Sequence, residues 1–140
     1  MRVVVMEPMV GYGAEIEMLA ESIVAGKGNQ QSGDHKTVTI GEFLSSHPED
    51  CFLSRVTGES MTGAQIFQGD LMIVDRKKTP KSGDVIVVTI DGDTIVKRLH
   101  IRDGQIFLES ENPLFKEYAV TEEMNFQIMG VVSCTIHTVK

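Results

Sequence analysis

Basic residues are in short supply in this chain of 140. It carries 13 lysines and arginines against 20 aspartates and glutamates, a formal net charge of −7. A protein that grips nucleic acid by its phosphates needs a basic face, so direct sequence-specific DNA binding is not expected. Binding to a DNA-associated protein stays open. Cysteine is scarcer still: Cys51 and Cys134 lack metal-type spacing and read as reduced, packed thiols of a reducing cytosol. No apolar run approaches the ~18 residues of a membrane span. The opening Met1-Arg2-Val3-Val4-Val5-Met6 is interrupted by Glu7 and Pro8, too soon for a signal peptide. A cytoplasmic protein without membrane contact is the expectation. His35, His47, His100 and His137 are scattered, the eight methionines suit core filling, and no metal or cofactor is expected.

What the chain does have is a succession of short β-type runs. Val3 to Met6 reads as a short strand. Ile16, Leu19, Ala20 and Ile23 fall at helical spacing and predict a short amphipathic helix within residues 14–23. Gly26 to Asp34 holds three glycines and no large apolar side chain, the composition of a flexible linker. Thr39 with Glu42 is a capping-box pair that opens a short helix through Leu44. Cys51 to Val56, Asp70 to Asp75, Val85 to Ile90, Thr94 to Ile101, Gln105 to Glu109, Phe126 to Met129 and Val131 to His137 then read as strands. Asp91-Gly92-Asp93 and Asp103-Gly104 mark hairpin turns. The expected organisation is an N-terminal arm over residues 1–37 and a mainly β domain over residues 38–140, built of packed sheets or a distorted barrel.

Two polar residues stand out. Alternation puts Ile95, Lys97, Leu99 and Ile101 on one face of their strand, apolar except for the lysine. An amine carried into such a face loses hydration and its pKa falls, which is the condition for a lysine to act as general base near neutral pH. The same pattern also fits a lysine whose stem packs while its ammonium reaches water. Ser60, after Gly58-Glu59, fits a turn or an N-cap equally well as a nucleophile. The residues by themselves leave both pairs of readings open.

The ordered blocks Gly58-Glu59-Ser60-Met61, Gly69 to Asp75, Ser82-Gly83-Asp84-Val85 and Thr94 to Leu99 resemble the signature of the LexA/UmuD family of serine–lysine autopeptidases, and UmuD most closely. Glu111-Asn112-Pro113 and Ile128 to Val132 fit the same resemblance, which covers residues 38–137. It implies a LexA/UmuD-like domain of strongly bent antiparallel sheets with short helices. Ser60 would be the nucleophile, Lys97 the general base, and the backbone N–H groups of Glu59 and Ser60 the oxyanion donors. It further implies self-cleavage at Ala25-Gly26, with Gly26 lying 34 residues before Ser60 and Ile23 and Val24 docking as an extended substrate segment. Those four residues alone fit a helix ending at a C-cap glycine. The chain departs from UmuD relatives after the glycine, reading Lys27-Gly28-Asn29-Gln30 where they carry Phe-Pro-type residues.

The resemblance implies a homodimer of the bacterial DNA-damage (SOS) response. Its cleavage would be stimulated by a RecA–single-stranded DNA filament, and the trimmed product would be an accessory subunit of a UmuC-like translesion polymerase. The alternative is the C-terminal dimerisation and autocleavage domain of a LexA- or phage-type repressor. With 25 residues before Gly26, acidic and without a recognition-helix pattern, the UmuD-like reading is favoured. A signal-peptidase-like enzyme would need a membrane anchor, and a non-catalytic β-module would make Ser60 and Lys97 incidental.

Overall fold

The computed structural model describes residues 2–8, 15–19 and 35–139. Contacts divide the chain into two compact units, Met9–Pro48 and Met1–Pro8 with Glu49–Lys140. In the smaller unit, β2 (Glu15–Leu19) pairs antiparallel with β3 (His35–Thr39), Glu15 opposite Thr39 and Leu19 opposite His35. The helix expected over residues 14–23 is therefore a strand within its described part. Glu15-Ile16-Glu17-Met18 alternates with period two, and pairing with β3 satisfies backbone groups that a two-turn helix would hold only marginally. Helix α1 (Ile40–Leu44) follows at once, and Thr39 Oγ1 accepts from the Glu42 N–H at 3.1 Å, the cap foreseen in the sequence.

The larger unit is one antiparallel sheet. Its strands are β1 (Arg2–Pro8), β4 (Cys51–Thr57), β5 (Leu71–Asp75), β6 (Val85–Ile90), β7 (Asp93–Arg102), β8 (Gln105–Glu109), β9 (Tyr118–Ala119) and β10 (Phe126–Ile136). Their spatial order is β1-β4-β5-β10-β6-β7-β8-β9, and the sheet curls far enough for Arg2 of β1 to pair with Ile95 of β7. Six strands thus close into a ring, and β8 and β9 extend from it. Asp91-Gly92 and Asp103-Gly104 both carry positive φ at both residues, the two-residue turns whose twist matches a hairpin. They fix the register: Ile90 faces Asp93 across one turn and Arg102 faces Gln105 across the other.

The two strands expected at the C-terminus are one. β10 pairs with β6 through its first half and with β5 through its second, with register shifts between Ile128 and Gly130 and between Val132 and Cys134. A bend of this kind tolerates the break in pattern that Gly130 makes. A Cβ on Gly130 would lie 2.7 Å from Val74 Cγ1 and 2.8 Å from the Asp75 carbonyl oxygen. The glycine is there for close approach.

Two apolar clusters occupy the two faces of the sheet. Phe52, Val56, Met61, Met72, Val74, Val87 and Val96 form one, with Ile66; Ile86, Val88, Leu99, Leu108 and Val131 form the other. Each fully buried Leu, Ile, Val or Met side chain stabilises by about 1.5–3 kcal/mol. Alternation divides β7 between the clusters. Val96 belongs to the first, while Leu99 belongs to the second with Ile95 packed against it. Lys97 therefore shares the face of Ile95 and Leu99. Cys51 and Cys134 form no disulfide, and burial pushes the Cys134 thiol pKa up, which keeps it protonated. No helix among the described residues is long and apolar enough to cross a membrane.

Gly130→Ala is expected to cost about 1–3 kcal/mol by overpacking against Val74 and Asp75. Urea denaturation followed by far-UV circular dichroism checks this; an unchanged midpoint would mean the strand crossing has slack.

Candidate active site

After Thr57 the chain leaves β4 for an excursion that returns at Leu71. Gly58, at φ 89°, makes the exit. The excursion is closed at its base, where the Val56 N–H donates to the Asp70 carbonyl at 3.0 Å and the Gly69 N–H to the Val56 carbonyl at 2.8 Å. Met61, fully buried in the first cluster, anchors its middle. Thr62–Ala64 forms a single 3-10 turn, so the helix start anticipated after Ser60 is one short turn. Asp70 braces the return. Its nearly buried carboxylate accepts the Phe67 N–H at 2.9 Å and stands 2.5 Å from His137 Nδ1.

Ser60 lies between the Gly58 exit and the Met61 anchor and is only 3% exposed. The carbonyl before it is tightly held. Glu59 O accepts from Thr62 N at 3.3 Å, from Thr62 Oγ1 at 3.1 Å and from Asn112 Nδ2 at 3.0 Å. The Glu59–Ser60 peptide is trans, so the Ser60 N–H points away from those three donors. That orients one of the two expected oxyanion donors.

Lys97 is 9% exposed at the centre of β7, opposite Ile86 of β6. Burial pushes its pKa below 10.5. Among the described residues no carboxylate stands within ion-pair distance of Nζ. The amine donates instead to Ser110 Oγ, and the Phe115 ring centroid lies 5.8 Å away. A buried lysine that lacks a counter-charge is costly to keep, which makes Lys97 a candidate functional position.

Residues 110–112 join the two halves. Ser110 takes the Lys97 hydrogen bond, the Glu111 carbonyl accepts the Gly63 N–H at 2.7 Å, and Asn112 donates to Glu59. Ser110 and Asn112 are two residues apart, so their Cα atoms are separated by at most ~7 Å. The Ser60 turn and the Lys97 amine are thus tied to opposite ends of one short segment. Arg98 locks this segment from the next position on β7, pairing with Glu111 and donating to the Gly83 carbonyl at 2.6 Å. Beside the segment is an open cleft of about 490 Å³, lined among others by Gly63, Ser110, Asn112 and Phe115.

Ser110 is the residue that sequence reasoning did not single out, though a signal existed. Once Asp103-Gly104 is read as a two-residue turn, counting outward sets Arg98 against Glu109 and the next pair is Lys97 against Ser110. Ile23, Val24, Ala25 and Gly26 lie outside the described residues.

Metal chemistry finds little support here. Among the described residues, His100, Glu109 and Glu117 bring their donor atoms within 4.8 Å of one another. Arg102 already grips Glu117 through two hydrogen bonds of 2.7 Å, which hold the Glu117 carboxyl pKa down, and His100 Nε2 stands 2.8 Å from Glu109. The group reads as the Arg102–Glu117 ion pair beside a close His100–Glu109 contact.

Comparison with known proteins agrees with this architecture. Residues 17–133 match the Peptidase S24-like family. The LexA repressor of Syntrophotalea carbinolica is 41% identical over 81 residues, 58% of this chain and 40% of that protein. The LexA repressor of Frankia alni is 46% identical over 66 residues, 47% of this chain and 26% of that protein. Protein ImpA of Salmonella typhimurium is 36% identical over 99 residues, 70% of this chain and 66% of that protein. The chain therefore spans less than half the length of these repressors and about two thirds of ImpA.

A Cβ on Gly63 would fall 2.4 Å from the Glu111 carbonyl oxygen. Gly63→Ala is expected to displace residues 110–112 from the Ser60 turn at a cost of about 1–3 kcal/mol. Hydrogen exchange at the residue 63 amide, now donated to Glu111, should accelerate at least tenfold; unchanged protection would separate the segment from the turn.

Proposed function

Because the chain belongs to the Peptidase S24-like family, we propose that it is a serine endopeptidase that cuts its own backbone between Ala25 and Gly26, with Ser60 as nucleophile and Lys97 as general base. The observation that carries this reading is the buried Lys97 amine, which donates to Ser110, meets no carboxylate partner among the described residues, and is tied through residues 110–112 to the turn bearing Ser60.

The chemistry follows from the two side chains. Neutral Lys97 takes the proton of the Ser60 hydroxyl as Oγ attacks the Ala25 carbonyl carbon. The oxyanion that forms is met by backbone N–H groups, with those of Glu59 and Ser60 as the candidates. Collapse breaks the Ala25–Gly26 bond, and the Lys97 ammonium gives its proton to the departing Gly26 amine. Water, deprotonated by Lys97, then releases Ala25 from Ser60. Ile23 and Val24 supply backbone pairing for docking, and the small Ala25 and Gly26 leave the carbonyl open to attack. A substrate on the same chain has an effective concentration on the order of 10⁵ M when aligned, which compensates for a weak nucleophile.

The cut would convert the protein into a trimmed form for the SOS response, with cleavage stimulated by a RecA–single-stranded DNA filament. The product would be a homodimeric accessory subunit of a UmuC-like translesion polymerase. The broader two-sided coverage of the ImpA match favours this reading. The higher identity to LexA repressors supports the second one, the autocleavage and dimerisation half of a transcriptional repressor.

Purified protein incubated over a pH series, with and without a RecA filament, should yield fragments 1–25 and 26–140 by intact mass. Lys97 is depressed below 10.5 by burial, so its neutral fraction grows as pH rises through that depressed value. The rate should climb about tenfold per pH unit on the acid limb and level off above it. Ser60→Ala and Lys97→Ala should each lower the rate by on the order of 10³-fold or more while remaining folded. A Ser60→Ala protein cut at the wild-type rate overturns the reading. Co-purification with a UmuC-type polymerase after cleavage, against operator release, separates the two biological roles.

A further inference from the structure

We propose that Ser110 is the positioning residue of the Lys97 base, its hydroxyl oxygen accepting one amine hydrogen and thereby fixing the direction of the nitrogen lone pair. The inference rests on the serine–lysine reading above but concerns a residue that neither the sequence motifs nor the family match assigns.

A lysine side chain has four rotatable bonds, and burial alone does not choose where its nitrogen points. A general base has to present its lone pair to one hydroxyl within hydrogen-bond reach. Among the described residues Ser110 Oγ is the hydrogen-bond acceptor for Nζ. It is well placed for the task, since Ser110 is only 5% exposed and its backbone is held on both sides. Glu109 before it is paired to Arg98 in the β7–β8 ladder, and Glu111 after it accepts from Gly63.

The choice of a hydroxyl has a chemical consequence. A carboxylate at this position would fix the amine equally well but would stabilise the ammonium and raise the lysine pKa. A serine oxygen accepts from both the ammonium and the neutral amine, so it orients the nitrogen without adding charge. Some preference for the ammonium remains, because a hydrogen bond from a charged donor is the stronger one. Loss of the hydroxyl should therefore lower the Lys97 titration midpoint further and also loosen the amine. A defect in folding would not produce that combination.

Two measurements on the full chain separate the possibilities. In the uncut Ser60→Ala background, the Lys97 ¹³Cε resonance is titrated with Ser110, Ser110→Ala or Ser110→Thr. The midpoint should fall by about one pH unit in Ser110→Ala and return with Ser110→Thr, whose hydroxyl is retained and whose methyl has the adjacent cleft to enter. The charged groups described on β7, on the Ser60 turn and between residues 109 and 117, among them Arg98, His100, Glu59, Glu109, Glu111 and Glu117, are common to the three proteins, so the difference reports the hydroxyl. In parallel, with Ser60 present, Ser110→Ala should reduce the plateau rate of self-cleavage about 10- to 100-fold and move its acid limb to lower pH. An unchanged ¹³Cε midpoint in Ser110→Ala overturns the proposal. So does a Ser110→Ala chain that cleaves with the wild-type rate and pH profile. Wild-type protein that is never cut, while the ¹³Cε shift is found, removes the protease reading and leaves Ser110 as the residue that holds Lys97.

Discussion

A buried amine that meets no carboxylate within ion-pair distance among the described residues is the constraint to which the rest of this structure answers. Lys97 reaches that state because β7 lies inside a closed sheet, with Val96 committed to one apolar cluster and Leu99 to the other. A strand with both faces covered leaves a lysine at its centre only the Ser110 side of the cleft for its head group, whereas on an open sheet the stem would carry the ammonium to water. The ring that Arg2 and Ile95 close is thus part of the electrostatics of the site as well as of the fold. The cost of desolvating the amine is borne by the packing of the valines, isoleucines and leucines around it.

The second requirement is relative placement, which residues 110–112 meet. The β7–β8 register, carried one step past the Arg98–Glu109 pair, brings Ser110 to Lys97, a turn excursion carries Ser60, and neither device fixes the other. One short segment with bonds to both, clamped by Arg98 through Glu111 and braced on Gly63, does so. A helix-borne site would achieve this with one rigid element. Here rigidity is assembled from hydrogen bonds, and it explains why Gly63 has no room for a methyl group.

Much of the sheet was legible in the sequence because its punctuation is strong. Asp91-Gly92 and Asp103-Gly104 adopt the backbone their chemistry favours, and the β6, β7 and β8 boundaries follow from them to within a residue or two. The burial of Lys97 on an otherwise apolar strand face was legible through alternation, and the turn at Ser60 through Gly58 before it. Two features were not. Residues 15–19 satisfy both a period of two and a helical spacing over so short a stretch, and only the partner strand at residues 35–39 decides between them. Ser110 carries no local signal, since its significance comes from a cross-strand neighbour that appears only when the hairpin is counted out. Gly130 reads as a break between strands, yet it marks the point where one strand changes partners.

The pairing of β1 acquires a different meaning once the cut after Ala25 is considered. Arg2–Pro8 is hydrogen-bonded along β4 and reaches β7, yet it lies on the far side of the proposed scissile bond from both. Before the cut this strand is a tethered segment with a high effective concentration. Afterwards it would belong to a separate piece of chain, retained only by its own dissociation constant and subject to dilution and exchange. Its departure would leave unpaired backbone on β4, a template any extended strand can compete for. On this view the cleavage does more than shorten the chain: it turns one strand of the sheet from a fixed component into a replaceable ligand.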